Sequence, residues 1–230
     1  MKSRNFFIKI ALLIGIGLVI TAMDAQTILG SPADFFDVVK MRRSVRQFKP
    51  DPVPQADLIK ILEAAKLAPT AGNRQPWRFL VIQQPENIAL LEKETLQFRF
   101  AQIEGNKNLS EKEKTEYKKR VESRQKGYFS APVYIGIFTD SEAPNAYYNT
   151  HDGPIAGGYL CLAARALGYG TVYVTGTIPG SVFQKVTGMP ERYVPTCVIL
   201  LGIPEEWPEM PDKKPLDELV IYEKFISEKK

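Results

Sequence analysis

Six consecutive residues, Val133-Tyr134-Ile135-Gly136-Ile137-Phe138, carry no charge and almost no polar surface. A strand wetted on one face alternates apolar and polar side chains, whereas a strand covered on both faces reads as an unbroken apolar run. This run is therefore a central strand, and the fold must lay structure over both of its faces. Phe79-Leu80-Val81-Ile82 and Thr196-Cys197-Val198-Ile199-Leu200-Leu201-Gly202 read as further buried strands. Thr171-Val172-Tyr173-Val174-Thr175-Gly176 reads as a strand running into a turn.

Helical segments separate these strands. Ala33 to Met41, opened by Ser31-Pro32, is a short helix, and Pro54 to Leu67 sets Leu58, Ile61, Leu62 and Ala65 on one face. Pro85 to Gly105 and Ser110 to Lys126 are two helices parted by Gly105-Asn106-Lys107-Asn108. Gly153 to Leu167 is a core helix rich in small residues, ended by Gly168, which suits a left-handed cap. Pro179 to Val186 is a short helix, and the tail from Pro204 is proline-rich and polar until Leu216 to Phe225. The fold class is α+β, with four or more strands and helices on the faces of the sheet.

The first thirty residues stand apart. Lys2, Arg4 and Lys9 precede fourteen uncharged residues, Ile10 to Met23, the layout of a secretory signal. That run is shorter than the roughly 18–20 residues of a spanning helix, and no clean cleavage site follows it. A cleaved signal, an uncleaved membrane anchor over residues 10–23 and a buried helix are the three readings. The first two imply an exported or membrane-anchored chain whose single domain is residues 31–230.

With residues 1–30 set aside, 27 basic and 25 acidic residues remain, a net of +2. That balance leaves no electrostatic footprint for nucleic acid. Residues 92–126 hold ten Lys/Arg against seven Glu, a mixture that reads as a solvated helical face. One His and two Cys are too few for a zinc site or a disulfide scaffold, so no metal is expected. His151 reads as structural, and Cys161 and Cys197 read as inert packing residues.

Four segments could carry chemistry. Arg42-Arg43-Ser44-Val45-Arg46-Gln47-Phe48 offers three guanidinium forks and a hydroxyl, suited either to one compact dianion or to a solvated turn. Ala68-Pro69-Thr70-Ala71-Gly72-Asn73-Arg74-Gln75-Pro76-Trp77 sets amides suited to a heterocycle edge in a turn-rich loop, with Trp77 read as core. Ala163 to Gly176 runs helix, glycine pair, strand and Thr-Gly turn, and it lacks a dinucleotide fingerprint. Pro211-Asp212-Lys213-Lys214-Pro215-Leu216 holds a basic pair between prolines.

Taken together, in this order and at this spacing, the four segments resemble the flavin-dependent nitroreductase family over Asp34 to about Tyr222. The resemblance implies a central mixed, mainly antiparallel sheet of four to five strands flanked by helices. It also implies an intertwined homodimer in which Leu216 to Phe225 is exchanged. FMN is the implied cofactor. Arg42, Arg43 and Ser44 match the residues around its phosphate and ribityl chain, and Arg46 matches the basic residue at the pyrimidine end of the ring. Pro69, Thr70, Ala71 and Asn73 match a loop given by the neighbouring subunit. Tyr173, Val174, Thr175 and Gly176 match the strand end along the flavin, where a backbone N–H of Thr175 or Gly176 meets N5. Lys213 and Lys214 match a basic tail that closes on the phosphate.

The implied reaction has two halves: a reduced nicotinamide, or another donor, gives hydride to the flavin, and a small electron-poor aromatic such as a nitroaromatic or quinone takes it. No catalytic side chain is implied. Two specialised branches, reductive removal of iodine from iodotyrosine and flavin cleavage, are alternatives, as is a flavin-binding protein without turnover. Lys126 resembles the lysine of the iodotyrosine branch, but no Glu-x-x-x-Tyr pair stands at the matching distance upstream of it. Gly158-Tyr159 replaces a Gln-Asn pair often found in relatives. Residues 92–126 correspond to the variable lid, where substrate choice lies.

Overall fold

The computed structural model describes residues 35–144 and 146–224. Two compact units divide the chain, residues 1–40 and 41–230. The described residues of the first lie in helix α1 (Phe35–Met41), the short helix expected there. The segment read as a signal or anchor lies outside the described residues. Among the described residues no helix is long and apolar enough to cross a membrane. The longest, α3 (Pro85–Gly105), has 21 residues but carries Glu86, Glu92, Lys93, Glu94, Arg99 and Glu104. The expectation of an exported or membrane-anchored chain is therefore withdrawn.

The second unit is built on four strands, β1 (Trp77–Ile82), β2 (Val133–Asp140), β3 (Gly170–Val174) and β4 (Tyr193–Gly202). Their order is β1-β2-β4-β3 and every pairing is antiparallel. The expected mixed character shrinks to one parallel bridge, Ser44 with Thr171. The apolar run does form a central strand. β2 sends Val133, Ile135 and Ile137 to one face, under α2 (Gln55–Lys66) and α5 (Asn149–Ala166). Tyr134 and Phe138 go to the other face, into a cluster with Leu91 of α3, Tyr128 of α4 (Glu111–Tyr128) and Phe183 of α6 (Gly180–Thr187). Gly136 occurs in the run because a Cβ there would stand 2.7 Å from Cε1 of Phe183.

Several element boundaries differ from the sequence reading, three of them for a clear local reason. β1 opens at Trp77, which is 5% exposed and part of the core. β4 opens at Tyr193 and passes through Pro195. There an extra residue, Thr196, makes a bulge against β2, and its hydroxyl donates to the Ile137 carbonyl at 2.9 Å. α5 opens at Asn149 rather than Gly153. Pro154 fits a helix start by its missing N–H, but buried polar groups extend the helix past it. Asn149 Nδ2 donates to the Asp140 carbonyl, and buried Asp152 accepts from the Ala71 N–H at 3.4 Å. Gly168 takes the expected left-handed conformation, with φ of 87°.

Candidate functional site

β3 is the edge strand, and the chain covers it with the arginine-rich segment. Val45 N donates to the Thr171 carbonyl at 2.9 Å, and Lys49 N donates to Ile203 at 2.8 Å. Val45 is buried at 1% exposed, which leaves Arg46 and Gln47 exposed beside it. Gly170 makes this approach possible, since a Cβ there would lie 2.7 Å from Val45 Cγ2. Alternate residues of an edge strand turn their backbone groups outward. Thr171 does so toward Val45, and Tyr173, two residues on, faces the same way, toward Arg46.

Just beyond that bridge lies a cavity of about 550 Å³, within the range of small-molecule sites. Its floor is Val172 to Thr177, and Arg46 forms one side. The guanidinium of Arg46 is held by two hydrogen bonds, Nε to Tyr128 Oη at 3.2 Å and Nη1 to the Ser44 carbonyl at 3.1 Å. The ring of Tyr173 packs beneath the sheet, where a Cβ on Gly157 would stand 2.8 Å from it. Tyr173 thus borders the cavity through its backbone. Burial and a hydrogen bond with Cys197 push the phenol well above its usual range. A neighbouring groove of about 490 Å³ shares Arg46, Arg124 and Tyr128 and adds Ser44 and Lys126.

Of the residues singled out by sequence, the structure brings together Ser44, Arg46, Tyr173, Val174, Thr175 and Gly176. Arg42 and Arg43 stand half-buried at the upstream end of the same segment, Arg43 Nη1 donating to the Arg42 carbonyl at 2.9 Å. Pro69, Thr70, Ala71 and Asn73 precede β1, on the opposite edge of the sheet. Their loop is a tight 3-10 turn in which Gly72 and Asn73 have φ of 59° and 54°, braced by Gln75 N donating to Thr70 Oγ1 at 3.1 Å. Lys213 and Lys214 are exposed and line none of the cavities described here. The tail is fixed upstream of them, where Trp207 lies 4.0 Å beneath the Arg165 guanidinium. His151 is exposed, edge-on to Tyr147, and takes no part in the core. Cys161 and Cys197 are free and buried, and burial pushes both thiols up, Cys197 to about 11.

The remaining wall comes largely from residues 92–126, expected as a lid but with none of its lining side chains singled out from the sequence. Arg99 on α3 and Tyr117, Arg120, Val121, Arg124, Gln125 and Tyr128 on α4 line the cavity. The α4 set repeats at three- and four-residue steps, one face of a helix, so that stripe was the available signal. Charge masked it, because residues 92–126 look solvated throughout. Gln125 is 2% exposed, and its Oε1 has no partner among the described residues. Burial lowers the pKa of Arg99, whose Nη1 donates to Gln102 Oε1 at 3.1 Å.

The model of the Nitroreductase family matches residues 39–203. An iodotyrosine deiodinase from Thermotoga neapolitana is 30% identical over 176 residues, 74% of this chain and 89% of that one. An NADH dehydrogenase from Thermus thermophilus is 30% identical over 192 residues, 79% and 92% of the two chains. The crystal structure of a nitroreductase with bound FMN from Desulfitobacterium hafniense superposes with a TM-score of 0.64 at 27% identity, covering 83% of this chain and 98% of that one. The match runs from just before the arginine-rich edge to the end of the last strand, and the chain is an oxidoreductase of the Nitroreductase family.

Proposed function

We propose that the chain is an FMN-dependent oxidoreductase that draws electrons from NADH or NADPH and passes them to an electron-poor aromatic, such as a nitroaromatic or a quinone. One observation carries the reading: Arg46, fixed by two hydrogen bonds, meets the Val174-Thr175-Gly176 turn in a single cavity.

The residues fit the cofactor with which the Desulfitobacterium protein was crystallised. Gln125 brings a buried, unpartnered acceptor to the cavity wall. In front of Gly176 the space is open, since a Cβ there would meet nothing within 4 Å, which is room for a planar group. When bound, FMN supplies the two-electron chemistry that side chains lack. The chain holds and tunes it. Arg46 places a fixed positive charge where it favours an anionic ring over a neutral one. Arg42, Arg43 and Ser44 hold the phosphate end, with Lys213 and Lys214 closing over it. A second copy completes the site, supplying Pro69, Thr70, Ala71 and Asn73 from its far edge. Leu216, Leu219, Ile221 and Tyr222 are all at least 60% exposed, an apolar tail suited to embrace that copy.

Dehalogenation of an iodotyrosine is the second reading, favoured by the Thermotoga relative. An amino acid's ammonium group calls for an acidic partner, and the cavity beside Gly176 is lined by none. General reduction is therefore preferred. The test is to purify the protein, add FMN and follow NADH and NADPH oxidation with a nitroaromatic. The expected result is a yellow dimer that turns over. A protein that takes up no FMN overturns the proposal.

A further inference from the structure

Four guanidinium groups, those of Arg46, Arg99, Arg120 and Arg124, line the cavity beside Gly176, and among the described residues no Asp or Glu lines it. The ion pairs among the described residues use other cations throughout. The contrast within one helical hairpin is sharp. Lys114 and Lys118 of α4 are neutralised by Glu104 and Glu111, whereas Arg120 and Arg124, two and six residues past Lys118, make no ion pair among the described residues. Arg120 stands over the ring of Tyr117 at 5.8 Å, and Tyr128 holds Arg46 at 3.2 Å. Arg46 and Arg124 also border the neighbouring groove, which Glu205 and Glu206 line without pairing to them, whereas Arg99 and Arg120 do not. Gathering like charges with no carboxylate in the same cavity opposes folding, and a bound anion relieves that repulsion.

Resting on the reading of the chain as a flavin-dependent reductase, we propose that its acceptor is an anion: an electron-poor aromatic bearing a carboxylate or sulfonate, bound by Arg99, Arg120 and Arg124. A guanidinium fork matches a carboxylate through two parallel hydrogen bonds. The tyrosines supply ring-sized apolar contact beside those forks. The shared chemistry is an oxyanion on arginine, and it has two sources, the acid group of the acceptor or the 2′-phosphate of NADPH. The cavity favours the acceptor, because its arginines and its tyrosines share one volume with the Val174-Thr175-Gly176 turn beside which the flavin is placed.

The experiment compares 4-nitrobenzoate with its neutral isostere 4-nitrobenzamide on the FMN-supplemented protein, by calorimetry and by steady-state KM. The benzoate is expected to bind at least about tenfold more tightly, with a preference that shrinks as salt is raised. R120Q and R124Q are each expected to cut the benzoate-to-benzamide ratio by roughly tenfold, the scale of a charge-assisted hydrogen bond. Equal affinity for the two compounds, or equal losses for both in the variants, overturns the proposal. So does a variant that raises KM for NADPH but not NADH while the ratio stays fixed, because the arginines then serve the donor. A protein that takes up no FMN fails at the earlier reading, and calorimetry with the same two compounds still decides the anion site.

Discussion

Gly127→Ala tests whether the last turn of α4 is built to touch the segment that carries Arg46. A Cβ at residue 127 would stand 2.7 Å from the Arg46 carbonyl oxygen and 3.7 Å from Gln47 Cγ. Ordinary contact begins near 3.4 Å, so helix and segment must separate by about 0.7 Å. Neither moves alone. Phe48 N donates to Ser130 Oγ at 2.9 Å, Ser130 Oγ donates to the Gly127 carbonyl at 2.6 Å, and Arg46 Nε donates to Tyr128 Oη at 3.2 Å. Overpacking of this kind costs about 1–3 kcal/mol, and alanine in place of glycine in a helix returns about 0.5–1 kcal/mol. The expected net loss is about 0.5–2 kcal/mol, or about 1–8 °C in Tm for a domain of this size. Because Arg46 is displaced, the affinity for FMN is expected to fall at least about tenfold. Thermal unfolding followed by circular dichroism gives the first quantity, and quenching of flavin fluorescence on titration gives the second. Gly105→Ala is the control, since a Cβ there meets nothing within 4 Å, and its Tm is expected to hold or rise. If G127A behaves like G105A in both measurements, the coupling between α4 and Arg46 is refuted.

Two further outcomes follow from the core. Tyr169 Oη donates to Asp57 Oδ2 at 2.9 Å, and that bond, with Lys60 beside it, holds the Asp57 carboxyl below its usual range. A lowered carboxylate pKa stabilises the fold above the unfolded value of about 3.9 and stops doing so as pH falls through the folded value. Tyr169→Phe is therefore expected to cost about 1 kcal/mol at neutral pH, and urea titrations should show the gap from wild type closing toward pH 3. An unchanged gap at both pH values would show that the carboxylate is not the partner that matters. Separately, the buried thiols of Cys161 and Cys197, both pushed up in pKa, are expected to resist iodoacetamide at pH 8 until the protein is unfolded. Mass spectrometry that finds rapid labelling of the native protein would contradict their burial.

The strands were legible because each is an apolar run, and β2 was legible as central because its run has no polar gap. Boundaries were harder wherever a residue plays against type. Pro154 and Gly153 read as a helix start, yet buried Asn149 and Asp152 find hydrogen-bond partners that lengthen the helix beyond them. Pro195 hides the first residues of β4, because a proline inside a paired strand is tolerated only at an irregularity, here the Thr196 bulge. In the site, Ser44, Arg46 and the Tyr173 to Gly176 turn were legible as contiguous motifs. Arg99, Arg120 and Arg124 were not. In sequence they match Lys114 and Lys118, and only the folded hairpin separates cations that meet glutamates from cations that meet a cavity.

The same edge explains both why the sheet ends at β3 and why the site lies there. An exposed edge strand offers unpaired backbone groups to any passing chain, and proteins blunt such edges with charge or with a covering segment. Here the segment from Arg42 to Phe48 does both, pairing through Val45 with Thr171 and leaving Arg46 exposed beside the strand. Its cover is one bridge long. Past Thr171 the outward backbone of Tyr173 faces a cavity instead of another strand, and α3 and α4 wall that cavity with arginine. A continuous pairing of residues 44–48 with β3 would have protected the edge better and left no room for a ligand. That the pairing stops at Thr171, four residues short of the Thr175-Gly176 turn, is what a binding site requires of an edge and what stability alone does not.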